Sequence, residues 1–288
     1  MADVAIAPLT VGDTVARMAE ILSSNDEARE LLALLHDMPR FWPSTSAEQL
    51  LTSAEAEMAL DAARRRATGM PIQYAAGRAA FRHMTLDVDA RVLIPRPETE
   101  QLVDLVLEHA RGERGGTAVD VGTGSGAIAL SLASEGRFAR VIGTDVSLDA
   151  LTVARANATK FANRCCASVD LRQGSLLGPV PEQQLAAIVS NPPYIAFGEA
   201  ADLPASVRDW EPSVALFSGD DGMALSAQLI RDAASRLAPL GMLALEADSR
   251  RAMRVAGLAA SHGAYVDVRV LLDLTGRERF VVARRREE

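Results

Sequence analysis

From about Leu9 to Thr68 the apolar positions recur every three or four residues. Val11, Val15, Met18, Ala19 and Leu22 share one helical face, and Ala28, Leu31, Leu32 and Leu35 share another. Asp26 is placed to cap the second helix, and a third is expected from about Ser53, its cap candidate, to Arg66. Pro39, Pro43 and the Ser/Thr cluster around Ser44 interrupt the pattern. A small helical bundle follows, with no residue of catalytic type and with recognition as the function left open to it. Gly69–Gly77 closes the helical part. Between Ala79 and Val92, the apolar Phe81, Met84, Leu86 and Val88 then alternate with polar residues, as in a short hairpin.

Beyond the hairpin the periodicity changes. Pro95 and Pro97 hold Arg96 in an extended segment, and Pro97 opens a helix with acids in its first turn that carries Leu102, Val103, Leu105, Val106 and Leu107 towards a core. From about Thr117 short apolar runs alternate with helical stretches. The strands are Ala118–Val121, Val141–Thr144, Ser168–Leu171, Leu185–Val189, Met242–Glu246, Tyr265–Leu271 and Arg279–Ala283. The helices between them begin at Ala127 and run over Leu148–Phe161, Met223–Leu237 and Arg251–His262. This alternation predicts an α/β fold, a doubly wound seven-stranded Rossmann-like sheet whose two closing strands pair antiparallel at one edge. The expected organisation is a helical domain over 1–70, a hairpin and linker over 71–100, and a catalytic domain over 101–288.

Composition narrows the class. With 288 residues, about half of them apolar, the chain can bury a large core, and no apolar run approaches the length of a membrane span. Met1-Ala-Asp-Val4 lacks a basic region ahead of an apolar stretch, so no signal peptide is expected. The adjacent Cys165 and Cys166 cannot staple distant segments, which fits a reducing cytoplasm. His36, His83, His109 and His262 lack metal-ligand spacing, so no metal is expected. A net charge of −8 opposes general nucleic-acid binding. Lys160 is the single lysine against 29 arginines, a codon bias more than a chemical signal, and Arg64–Arg66 and Arg284–Arg286 read as solvated faces or ends, with phosphate contact as the alternative. A monomer is expected.

Two stretches carry chemistry. Gly122-Thr123-Gly124-Ser125-Gly126 follows a buried strand and opens a helix, so backbone can approach a ligand and helix N–H groups can face it. Dinucleotide and adenosyl-cofactor sites share this pattern. The third glycine, one residue earlier than in Gly-x-Gly-x-x-Gly, favours S-adenosylmethionine. Asp120 can orient the loop or meet the cofactor's positive methionine end. Asp145 ends the second strand at about the distance where an acid accepts from ribose hydroxyls.

The other stretch is Asn191-Pro192-Pro193-Tyr194. Neither proline can donate to a sheet ladder, so the strand stops and Asn191 reaches the crevice at its carboxyl end. The Asn191 side-chain oxygen and the carbonyls of Asn191 and Pro192 can accept the two protons of a planar –NH₂ group, with the Tyr194 ring against its plane. The plainer reading is a strand end closed by a rigid Pro-Pro turn.

With Leu93-Ile94-Pro95-Arg96-Pro97-Glu98-Thr99-Glu100, Gly122–Gly126 and Asn191–Tyr194 together, the sequence resembles the HemK/PrmC family, the N5-glutamine methyltransferases of peptide chain release factors. The resemblance spans roughly Gly69 to Arg284, and Glu211-Pro212 and Gly219-Asp220-Asp221-Gly222 also look like family features. Ser175-Leu176 stand where family members commonly have an Asp and an aromatic residue near the adenine, and Glu246-Ala247-Asp248 replaces an expected Glu-x-Gly. The resemblance implies methyl transfer from S-adenosylmethionine to a glutamine amide nitrogen of a release factor. Asn191, Pro192 and Tyr194 are then the catalytic residues and Pro193 part of the substrate corner. Asp120, Gly122, Thr123, Gly124, Ser125, Gly126, Asp145 and Asn191 are the cofactor contacts. The rivals are an amino-group methyltransferase of adenine or guanine, which uses the same corner on a flipped base, a paralogue acting on another amide, and a non-catalytic adaptor.

Overall fold

The three longer helices of the amino-terminal part each start where a side chain satisfies a first free amide. Helix Val11–Leu22 opens on a reciprocal box in which the Asp13 amide donates to Thr10 Oγ1 at 3.0 Å and the Thr10 amide to Asp13 Oδ2 at 3.3 Å. Helix Asn25–Leu35 is capped by Ser24, whose Oγ accepts from the Glu27 amide at 3.2 Å. Asp26 thus sits inside the first turn, where its charge suits the helix's positive end, and is not the cap. Helix Ser53–Ala67 is capped by Thr52 and Glu55, one residue ahead of the expected Ser53. Val11, Met18, Leu31, Leu32 and Ala63 form its shared core. Short helices Trp42–Thr45 and Ile72–Ala76 occupy the stretches where the periodicity breaks.

The computed structural model describes residues 9–110 and 115–287; Met1–Val4, read above for a leader, lies outside them. Among the described residues, backbone contacts define two units. One holds the chain up to Ala80 with Thr85–Ala90 and Pro204–Trp210; the other holds Phe81–Met84, Arg91–Leu203 and the chain from Glu211. The division passes through the hairpin of Arg78–Phe81 and Met84–Asp87.

The second unit contains the seven-stranded sheet: β1 (Thr117–Val121), β2 (Arg140–Asp145), β3 (Ser168–Gln173), β4 (Leu185–Ser190), β5 (Leu237–Glu246), β6 (Tyr265–Leu272) and β7 (Glu278–Arg285). Its order is β6-β7-β5-β4-β1-β2-β3. Strands β1 to β5 are parallel, and β7 runs antiparallel to β5 and to the edge strand β6. The doubly wound α/β sheet is therefore present, with the antiparallel pair at one edge. Val119, Ile142, Ile188 and Leu245 from the sheet meet Leu229, Ile230 and Val255 from the helices in one core.

One boundary differs from expectation. The helix expected over Met223–Leu237 spans Ala224–Ala233, and Leu237 already begins β5, paired with Leu185. Between Leu237 and Met242 the ladder slips, Leu240 adopts φ 60°, and a Cβ on Gly241 would lie 2.7 Å from the Leu185 carbonyl oxygen. The irregularity around Pro239 and Gly241 disguises the first half of the strand.

In the arginine runs Arg64, Arg65 and Arg286 are exposed and Arg66, Arg284 and Arg285 half-buried, with local partners. Arg65 donates to the Ala75 carbonyl, Arg66 pairs with Glu27 at 2.6 Å, and Arg285 and Arg286 donate to the Ala264 and Gly263 carbonyls. Arg64 pairs with Asp61.

Candidate active site

The strand order reverses between β4 and β1, and open α/β sheets bind ligands at such a point. A cavity of about 480 Å³ lies there, its wall including Gly122, Gly124, Asp145, Leu176, Asn191 and Phe197. That volume is ordinary for a small-molecule or cofactor site.

The glycine loop forms one side. Gly122 and Gly124 have φ of 74° and 55°, and a Cβ on either would meet nothing within 4 Å, so the bare backbone borders open space. The Gly122 and Thr123 amides donate to the Thr144 carbonyl at 2.8 and 2.9 Å, and the Gly124 amide donates to Asp145 Oδ2 at 2.9 Å. Asp145 Oδ1 accepts from the Ser147 amide at 2.9 Å. Burial raises the Asp145 pKa, and these amides oppose it. With three backbone amides bound, the carboxylate keeps lone-pair capacity for a hydroxyl.

Asp120 occupies a different place. It is fully buried and off the cavity wall, with Oδ2 accepting from Thr123 Oγ1 at 2.6 Å and from the Ala129 amide at 3.0 Å. These bonds tie it to the glycine loop and to the first turn of the helix that follows. Its Oδ1 is buried without a partner, and burial lifts the carboxyl to about 7. Thr123, Ser125 and Gly126 likewise stand behind the wall: Thr123 holds Asp120, the Ser125 carbonyl accepts from Asn157 Nδ2 at 2.9 Å, and Gly126 begins helix Ala127–Glu135 at φ 86°. Two bare glycines and a strand-end carboxylate on the wall of one cavity suit an adenosyl cofactor with ribose hydroxyls. Leu176 and Ser175 also line the cavity, so an apolar face replaces the acid–aromatic pair of the family pattern.

The opposite side is the turn after β4. Asn191, Pro192 and Pro193 line the cavity. Asn191 Nδ2 donates to Thr99 Oγ1 at 3.1 Å, and Thr99 Oγ1 donates to Glu246 Oε2 at 2.7 Å. With the Nδ2 end engaged, Oδ1 is the end free to accept from the cavity. Tyr194 follows directly on this corner and is half-buried. Burial pushes its phenol up to about 12, with Glu246 adding to the rise and Arg279 and Arg96 opposing it.

Sequence reasoning missed the residues that hold these walls. Arg96 donates to both oxygens of the buried Glu211 at 2.7 Å, anchoring the segment whose Pro212–Ala215 residues face the cavity. Buried Arg251 donates to the Asp221 carbonyl at 2.7 Å and to Glu199 Oε2 at 2.8 Å, tying down the loop after the Pro-Pro turn. Arg96, Glu211 and Asp221 lay in stretches singled out for resemblance, whereas Arg251 and Glu199 carried no sequence signal. Among the described residues no His/Cys/Asp/Glu group could hold a metal, and no helix is long and apolar enough to cross a membrane.

A sheet wound this way, with a bare glycine loop facing an Asn-Pro-Pro corner, defines an S-adenosylmethionine-dependent methyltransferase. Residues 14–77 match the PrmC N-terminal domain and residues 78–204 the Methyltransferase small domain. The release factor glutamine methyltransferase of Moorella thermoacetica is 42% identical over 280 residues, covering 96% of this chain and 98% of the relative. That of Gloeobacter violaceus is 42% identical over 76% of both. A Pyrococcus furiosus methyltransferase shares the fold, with a TM-score of 0.52 at 20% identity over 70% of this chain and 88% of that one. The chain belongs to the release factor glutamine methyltransferase family.

Proposed function

We propose that this enzyme methylates the side-chain amide nitrogen of the glutamine in the Gly-Gly-Gln loop of a peptide chain release factor. The observation that carries the reading is the corner at Asn191: an acceptor oxygen fixed by the Thr99 contact, on a cavity that fits the cofactor. In this reading the helical segment 1–70 recognises the partner, 71–100 links, and 101–288 catalyses, in the cytoplasm and as a monomer. The net charge of −8 argues for a protein partner over a polynucleotide.

An amide nitrogen is a poor nucleophile because its lone pair is delocalised into the carbonyl. Bound S-adenosylmethionine supplies a methyl group already activated on a sulfonium. The protein's task is then alignment, which at 3–3.5 Å between reacting atoms can remove roughly 7–11 kcal/mol of barrier. Asn191 Oδ1 and the Pro192 carbonyl would accept the two amide protons, aim the nitrogen into the cavity and stabilise the positive charge that grows on it. Pro193 keeps that corner rigid. The extra proton leaves after transfer, so no dedicated base is required. Tyr194, next in the chain, would pack against the amide plane. Asp120, Thr123, Ser125 and Gly126 would serve the cofactor by shaping the loop, whereas Gly122, Gly124 and Asp145 would touch it.

Two measurements test this reading. Labelled methyl groups should appear on the Gly-Gly-Gln glutamine of a release factor and not on DNA or RNA; label on nucleic acid alone would replace the proposed acceptor. Asp145→Ala should weaken S-adenosylmethionine binding roughly ten- to two-hundred-fold, because charge-assisted bonds to ribose hydroxyls contribute about 1.5–3 kcal/mol. Calorimetry on the folded variant showing unchanged affinity would remove Asp145 from the site.

A further inference from the structure

Asn191 has an acceptor end and a donor end of nearly equal size, so packing alone cannot choose which faces the cavity. Its hydrogen-bond partner must choose. Nδ2 donates to Thr99 Oγ1 at 3.1 Å, which requires a lone pair on the threonine oxygen to point at Asn191. The Thr99 hydroxyl proton goes the other way, to Glu246 Oε2 at 2.7 Å. Thr99 is 4% exposed and Glu246 1%, so water does not compete for either bond. Three elements meet here: the first turn of helix Pro97–His109, the end of β5, and the turn after β4.

We propose that Glu246, acting through Thr99, is a positioning residue that sets the polarity of Asn191, keeping Oδ1 towards the cavity so that the site takes an amide –NH₂. The inference rests on the functional reading above. As a carboxylate, Glu246 only accepts, so Thr99 must donate to it and accept from Asn191. Once protonated, Glu246 can donate to Thr99, whose own proton is then free to turn to Asn191 Oδ1. The asparagine amide would rotate by half a turn and present its –NH₂ to the substrate's –NH₂, donor against donor.

The groups facing Glu246 from the surrounding elements are Arg279 on β7, Arg96 and Glu98 at the start of helix Pro97–His109, and Tyr194 on the turn after β4. Burial is the largest influence and raises the carboxyl to about 7, with Thr99, Arg279 and Arg96 opposing and Glu98 reinforcing. The charged, productive form therefore prevails above about pH 7 and is lost as the pH falls.

The test uses the full-length enzyme with saturating cofactor and a release factor. Wild-type kcat should rise through about pH 7. Thr99→Val, nearly isosteric but without a hydroxyl, should lower kcat about ten-fold, with cofactor affinity unchanged, and Thr99→Ser should restore it. Glu246→Gln should lose the rise near pH 7, because the amide does not titrate. In a second arm, the Asn191 side-chain amide resonances should titrate near pH 7 in the wild type and not in Glu246→Gln or Thr99→Val. That arm needs no acceptor, so it separates the two ideas. Titration without release-factor methylation would uphold the relay and remove the proposed substrate. Full activity in Thr99→Val, or an unchanged pH profile in Glu246→Gln, would overturn the relay whatever the substrate.

Discussion

Asn191→Leu should lose nearly all methyl transfer while still binding S-adenosylmethionine to a measurable degree. Leucine keeps approximate volume and removes every hydrogen bond. By analogy with oxyanion-hole donors, one lost oriented partner costs on the order of 2.7–4 kcal/mol, or about a hundred- to a thousand-fold in rate. Asn191→Asp should fall between the two. It retains an acceptor that can stabilise a cationic nitrogen, but it cannot donate to Thr99 and carries a charge that is costly to desolvate. Single-turnover rates at saturating substrate distinguish these outcomes. A leucine variant within a few-fold of wild type would return Asn191 to the plain role of ending a strand.

Gly222→Ala should be among the most damaging single-methyl changes outside the core. Gly222 has φ 72°, and a Cβ there would lie 2.2 Å from the Tyr194 carbonyl oxygen and 2.6 Å from Arg251 Nε. The backbone strain costs about 1–3 kcal/mol. Overpacking adds roughly another 1–3 kcal/mol, since the nearest atom is backbone and cannot swing away. Relief of the clash must shift either the Pro-Pro turn or Arg251, which holds Glu199 and the Asp221 carbonyl. Activity should therefore fall along with thermal stability. Gly219→Ala is the control: its φ is 67°, but the nearest atom is the Ala224 methyl at 3.3 Å. Thermal melting should separate the pair, with Gly222→Ala the lower. Equal melting temperatures would mean that only the backbone angle matters.

Two arrangements of the site were legible because their signals are local. The two prolines after Asn191 forbid further ladder bonds, and glycines at 122 and 124 permit positive φ, whatever surrounds them. Asp145 at the end of β2 follows from strand length alone. Asp120 is on the glycine loop's strand, but whether it faces the ligand or supports the loop depends on the Thr123 and Ala129 bonds.

The sequence by itself determined the element types and the chemistry of the corner: helical faces at three- and four-residue spacing, alternating strands and helices, and an Asn-Pro-Pro stop at a strand end. Periodicity reports burial along one element, and caps and prolines act within a few residues, so these needed no tertiary information. Tertiary structure alone decided the partnerships across the chain. Thr99 meets Glu246 from 147 positions away, and Arg96 meets Glu211 from 115. Such pairs form only when sheet order and register bring β5 beside β4 and the first turn of helix Pro97–His109 against their ends. The same holds for Leu237, whose strand character comes from its pairing with Leu185 and not from its own neighbours. A buried polar group must find a partner, and which one it finds is a property of the assembled fold.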